Sequence, residues 1–298
     1  MVSARRGDFI SNCLPFALDT LPECIEKEPN NDQAQAQKIR LPMIINGRIN
    51  RPDDADVFEV AGREGDTIVA EVQARRLDSP VDAVLRITDS SGKLLAINDD
   101  YEDPTAGVNT HDADSYIMLK LPADGTYYVH LSDAARMGGE EYAYRLRISA
   151  PRPDFALRVV PSSVTLRSKG SAALTVQVFR KDGFAGPIKL VLRDPPEGFS
   201  SYPTTVAANQ STARLAVKTD LVATKQPVRL SIEGRATIGE EELVRQAVPV
   251  EDRMQAFLWR HLVPAEELMA VVYDPSTEPK PAFFARTRPT TTPETKPK

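Results

Sequence analysis

The chemistry open to this chain is concentrated in two short stretches rich in side-chain oxygen, Glu26-Lys27-Glu28-Pro29-Asn30-Asn31-Asp32 and Asp53-Asp54-Ala55-Asp56. In an extended segment alternate side chains share a face, so Glu26, Glu28 and Asn30 project the same way. Pro29 fixes its own φ near the extended value and turns Glu28 away from the helical region, so no helix starts here. Three oxygen donors on one side, with Asn31 or Asp32 at a bend, form half a shell for a hard cation such as calcium, which takes about 6–8 oxygens. Asp53, Asp54 and Asp56 are the source of the other half. They lie between Asn46-Gly47, which reads as a turn signal, and the apolar run Val57-Phe58-Glu59-Val60. Six carboxylates in two short segments repel one another unless cations neutralise them, which points to one or two bound Ca²⁺. Acidic turn residues also serve as plain solvated loop formers, and spacing alone leaves both readings open. The D-x-D-x-D-G-x5-E spacing of an EF-hand is absent.

The elements that must carry these stretches read as antiparallel strands. Ile68, Ala70 and Val72 alternate with Val69, Glu71 and Gln73; Tyr127, Val129 and Leu131 with Tyr128, His130 and Ser132; Tyr142, Tyr144, Leu146 and Ile148 with Ala143, Arg145 and Arg147. Each predicts a half-buried strand with one solvated face. Asp89-Ser90-Ser91-Gly92 and Ala123-Asp124-Gly125 are turn signals between strands. His130 falls on the outward face and reads as a surface histidine. A second acidic group, Asp82, Asn98, Asp99, Asp100, Glu102, Asp103, Asp112 and Asp114, flanks a long loop holding Pro104 and Gly107. It reads as solvated loop chemistry, with a further cation site or a ligand-contact rim as the alternative.

Taken in order, E-K-E-P-N-N-D, G-R-I-N-R-P-D-D-A-D-V-F-E-V, G-D-T-I-V-A-E-V, V-D-A-V-L-R-I-T-D-S-S-G-K-L-L-A-I-N-D-D, D-G-T-Y-Y-V-H-L and Y-A-Y-R-L-R-I make residues 25–150 resemble the bacterial pre-peptidase C-terminal domain. Clostridial collagen-binding modules are a calcium-binding branch of that family. The resemblance implies a jelly-roll-like β-sandwich without catalytic residues, appended to a secreted protein and so placed outside the cell, in the periplasm or at the cell surface. In the calcium-binding members the N-terminal acidic segment folds back onto aspartates before the next strand. Carried over, this implies Glu26, Glu28, Asn30 and Asn31 with Asp53 and Asp56 as ligands, while Asp54 and Asp32 match less closely. Residues 1–24 resemble the closing strand of a preceding domain in planctomycete-type secreted proteins.

Pro151-Arg152-Pro153 is a short, stiff linker. Residues 154–250 then supply about seven short alternating runs, the pattern of an immunoglobulin-like β-sandwich, without the cysteine pair and core tryptophan of antibody domains. In 251–273, Met254, Phe257, Leu258 and Leu262 recur at helical spacing, and Pro264 would interrupt such a helix. This patch, with Trp259 and His261, reads as a packing surface, and from Asp274 onward Pro, Thr and Lys predict a disordered tail, so that 251–298 form a C-terminal extension.

The 298 residues allow two domains of ordinary size, and 24 Pro with 15 Gly suit an all-β, turn-rich chain. A net charge of −5, with both signs interspersed, argues against nucleic acid as the main partner. No apolar run approaches the ~20 residues of a membrane span. The first ten residues lack the apolar core of a secretory signal, although the resemblance implies export, which suggests a piece of a longer protein or a misplaced start. Cys13 and Cys24 could pair in an oxidising compartment or stay free.

Catalytic motifs are absent: no G-x-S-x-G, H-E-x-x-H, P-loop or G-x-G-x-x-G occurs, and His111, His130 and His261 lie on separate elements. Three expectations follow for a non-enzymatic chain. It is an accessory module binding extracellular polysaccharide, protein or another domain of its own polypeptide; or a metal-stiffened spacer; or an appendage of a secreted peptidase. Tyr101, Tyr116 and Tyr128 on a common exposed face would favour binding.

Overall fold

A computed structural model of the chain describes residues 2–102, 111–112, 114–255 and 259–277. The chain is all-β, and its sheets pack as sandwiches around two hydrophobic cores. The first sandwich is built from β1 (Glu23–Ile25), β2 (Gln37–Lys38), β3 (Met43–Arg48), β4 (Ala55–Gly62), β5 (Thr67–Gln73), β6 (Ala83–Asp89), β7 (Leu94–Asn98), β8 (Tyr116–Lys120), β9 (Gly125–Asp133) and β10 (Ala143–Ser149). One sheet has the order β8-β5-β10-β3-β1 and the other β2-β4-β9-β6-β7. Period-two patterning decides what each strand buries: Phe58 and Val60 of β4, Ile68, Ala70 and Val72 of β5, Val129 and Leu131 of β9, and Tyr144, Leu146 and Ile148 of β10 meet in one core. The edge strand β1 runs parallel to β3, with Cys24 opposite Ile45. Cys13 and Cys24 are free thiols.

After Pro153 the second sandwich follows: β11 (Asp154–Val160), β12 (Ser163–Arg167), β13 (Ser171–Lys181), β14 (Ile188–Leu192), β15 (Phe199–Ser201), β16 (Thr204–Val206), β17 (Thr212–Thr219), β18 (Val228–Leu230), β19 (Ile232–Ile238), β20 (Glu241–Gln255), β21 (Trp259–Pro264) and β22 (Leu268–Tyr273). The main path is β15-β17-β13-β11-β20-β19-β14-β16, with β21 also on β20, and a smaller sheet has the order β12-β22-β18. Leu268, Ala270 and Val272 of β22 enter the second core beside Leu166 and Leu230.

The helical spacing of Met254 and Leu262 is not realised. Both residues sit on an antiparallel pair, with Met254 opposite Arg260 and Asp252 opposite Leu262. Cross-strand pairing overrides local spacing here, since a short apolar run does not by itself separate helix from strand. Phe257 and Leu258, and the predicted tail beyond residue 277, lie outside the described residues.

Candidate metal centre

The candidate centre forms at one end of the first core, where the inward alternation of two strands meets a polar group. Asp56 lies in register with the inward Phe58 and Val60 of β4, so the pleat carries its carboxylate into the interior, where it is 0% exposed. On the facing sheet Tyr144 occupies the inward row of Leu146 and Ile148 and brings its hydroxyl to the same end. The segment after β1 supplies the rest. Glu23 anchors β1 by a two-pronged pair with Arg145 (2.5 and 2.8 Å), the Glu26 amide donates to the Asn46 carbonyl (3.1 Å), and the Val57 amide donates to the Asn30 carbonyl (2.8 Å). These bonds fix the acidic segment across the end of the sandwich.

Carboxylate oxygens of Glu28, Asp54 and Asp56 lie within 4.8 Å of one another. Glu26 joins them from the side: its Oε2 accepts from Tyr144 Oη (2.6 Å) and its Oε1 from the Arg48 amide (2.6 Å). Asn50 Nδ2 donates to Glu28 (2.9 Å), and the Asn50 amide donates to Asp54 (2.8 Å). Asp56 Oδ2 is buried and has no hydrogen-bond partner. The fully buried Asn30 amide has two settings. With its nitrogen inward it donates to Glu28 Oε2 (2.8 Å) and Asp56 Oδ1 (3.2 Å); with its oxygen inward, that oxygen faces the same two carboxylates. The second setting is the one a cation requires, because oxygens pointed at oxygens repel unless positive charge lies between them.

The electrostatics follow from the burial. Loss of hydration, and then the charge of neighbouring Glu26, push the Asp56 carboxyl up to about 9, so without a cation it keeps its proton at neutral pH. Burial also lifts Glu26, although the Tyr144 hydroxyl works against the shift, and burial followed by the charges of Asp56 and Glu26 raises Tyr144.

The structure thus brings together Glu26, Glu28, Asn30, Asp54 and Asp56. Asn31 stands at the margin, with its amide near Glu28 and Arg51. Asp53 stands apart: it takes a left-handed turn position at φ +60°, its side chain is 75% exposed, and it lies 4.0 Å from Arg136. Asp54, with a side chain only 1% exposed, points inward instead. Tyr144 was visible only as a core residue in the alternation, yet a buried phenol needs an acceptor, and that need was the available signal. Gly47 is opposite Tyr144, and a Cβ there would overlap both Glu26 Oε2 and the Tyr144 ring. Gly47→Ala is therefore expected to cost about 1–3 kcal/mol and to speed hydrogen exchange at the Glu26 amide; unchanged exchange would show that the approach is not tight.

Within the second acidic group Asp114 is used structurally, while Asp99, Asp100 and Glu102 are exposed. Asp114 accepts from the Ala74, Arg75 and Arg76 amides and from Arg76 Nε. Asp133, a buried acid beside Asp82, accepts from the Asp82 and Met137 amides. Asp103, Pro104, Gly107 and the side chain of Asp112 lie outside the described residues. His130 is half-buried rather than a plain surface residue. Its Nε2 lies 3.0 Å from Thr88 Oγ1, and burial pulls its pKa down. Tyr101 and Tyr116 pair with ring centroids 4.9 Å apart, whereas Tyr128 is on the other sheet, so the three do not share a face. Among the described residues no helix is long and apolar enough to cross a membrane.

No protein-family model matches the chain. A stretch of 108 residues, 35% of this chain, is 38% identical to a probable subtilase-type serine protease of Deinococcus radiodurans, and the match spans only 14% of that protein. Among solved structures, a DUF4785 family protein from Legionella pneumophila aligns over 87% of this chain and 71% of its own, at 13% identity and a TM-score of 0.23.

Proposed function

We propose that the chain is a non-catalytic accessory part of a larger exported protein and that its first sandwich binds calcium. The observation that carries this reading is Asp56 Oδ2, a buried carboxylate oxygen with no partner, in a group whose other acids, Glu28 and Asp54, lie within hydrogen-bonding or ligating reach. Ionising a buried carboxyl beside other acids is costly, and a divalent cation offsets that cost. The donor set is all oxygen, with neither thiolate nor imidazole, which suits calcium over zinc. Glu26, Glu28, Asn30, Asp54 and Asp56 would hold the ion, with water completing about 6–8 ligands. Bound there, calcium supplies charge neutralisation and a cross-link between the segment after β1 and the start of β4.

Two further points support the accessory role. The ordered motifs of residues 25–150 resemble the pre-peptidase C-terminal domain, and part of the chain is similar to part of a subtilase-type protease. Its partner in this reading is an extracellular polysaccharide or protein, or another domain of the same polypeptide. Terbium provides the test, because Tyr144 is bonded to a ligand and can sensitise the bound ion. Excitation of tyrosine is expected to give terbium emission that calcium displaces and Asp56→Asn abolishes. Absence of emission, or emission indifferent to Asp56→Asn, would overturn the assignment.

A further inference from the structure

The linker Pro151-Arg152-Pro153 would by itself leave two sandwiches free to move, which is the default for adjoining domains with a small contact. The contact between them is unusual in its chemistry. Asp182 sits in the turn after β13, at φ +46°, and its side chain is 5% exposed. Its carboxylate receives nearly all its bonds from outside its own sandwich. Arg147 of β10 donates through both terminal nitrogens (2.8 and 3.1 Å), Tyr116 of β8 through its hydroxyl (3.0 Å), and the linker through the Arg152 amide (2.8 Å). Both oxygens are therefore used twice.

The socket is fixed from behind. Arg147 also donates to Glu71 through Nε and a terminal nitrogen (3.0 and 2.7 Å), and Glu71 in turn holds Arg76, which is tied to Asp114. The planar guanidinium can bridge two carboxylates only when both are placed along its edges, so the fork sets orientation as well as distance. Arg152 extends the clasp to the N-terminal segment by pairing with Asp19 at 2.7 Å. Burial alone would lift the Asp182 carboxyl, but the hydrogen bonds and charge of Arg147, the Arg152 amide and the Tyr116 hydroxyl together more than offset it and hold the pKa below the ordinary value.

We infer that Asp182 seated on Arg147, Tyr116 and the Arg152 amide locks the two sandwiches into one rigid body, so that the chain is a spacer of fixed length and orientation. Withdrawing Asp182 would leave Arg147 with Glu71 as its remaining carboxylate and take the acceptor from the Tyr116 hydroxyl, so partial opening is unfavourable. The lock uses none of the candidate calcium ligands and does not depend on that reading.

Spin labels provide the test. In a Cys13→Ser, Cys24→Ser background, Lys93→Cys and Asn209→Cys place one nitroxide on an exposed turn of each sandwich. Pulsed dipolar spectroscopy on the full chain is expected to give a single narrow distance distribution, with or without EGTA. Asp182→Asn keeps a residue that tolerates the left-handed turn and is expected to widen the distribution about twofold or more, toward the mobility usual for linked domains, with the circular dichroism unchanged. Arg147→Lys, which keeps the charge but loses the fork, is expected to widen it less. A broad distribution in the parent, or an equally narrow one in both variants, would overturn the lock.

Discussion

Asp56→Asn is expected to stabilise the protein when divalent cations are absent and to destroy its response when they are present. Without a cation, native Asp56 keeps its proton up to about pH 9, whereas the unfolded chain releases it near the ordinary 3.8. Over that interval the native state binds more protons, so the stability of the cation-free protein falls as pH rises from 4 toward 9. Asparagine carries no ionisable proton and escapes this penalty, a gain of about 1–3 kcal/mol at neutral pH or roughly 5–10 °C in the melting temperature of the first sandwich. Calcium acts in the opposite direction on the parent. At about one hundred times its dissociation constant it adds ~2.7 kcal/mol, and it flattens the dependence on pH by replacing the proton. Calorimetry with calcium and with EGTA, at acid and neutral pH, separates these effects. A variant that still loses stability on adding EGTA, or that melts below the parent in EGTA, would remove Asp56 from the site.

Asp114→Ala is expected to destabilise the same sandwich by about 3–5 kcal/mol, equally with calcium and with EGTA. Four bonds are lost at once: the Ala74, Arg75 and Arg76 amides at 2.9, 2.7 and 3.2 Å and Arg76 Nε at 2.8 Å. Three backbone donors and a guanidinium are then left at a site where the carboxylate was 1% exposed, and water replaces it poorly. Asp114→Asn keeps acceptor capacity on one side only and is expected to cost less, about 1–3 kcal/mol. Urea unfolding measures both. A calcium-dependent loss in Asp114→Ala would mean that this aspartate serves a cation after all.

Much of the fold was legible because alternation is a strong local code. The inward rows of β5, β9 and β10 could be read residue by residue, and the all-β class follows from them. The same code carries Asp56 and Tyr144 inward, and this is why an acid and a phenol can meet at the end of an apolar core. What could not be read was the choice between the neighbours Asp53 and Asp54. That choice depends on one left-handed residue in the turn, where Asp53 turns out and Asp54 is capped by the Asn50 amide. Nor does sequence spacing show which acids receive backbone donors: Asp114 stood among loop carboxylates in the sequence and is a fully bonded anchor in the structure. Around Met254 the apolar spacing suited a helix as well as a strand, and only pairing with Arg260 on β21 separates them.

In both sandwiches the strand made last or nearly last lies in the middle of its sheet: β10 between β3 and β5, and β20 between β11 and β19. Neither sheet can therefore be assembled outward in the order in which the chain is made. A nascent chain ending before Ala143 holds two half-sheets with unsatisfied ladder edges, exposed to any other strand nearby until the keystone arrives. Each half of the protein is thus committed to late closure, and a polypeptide released before that point would expose adhesive edges instead of a shorter stable product.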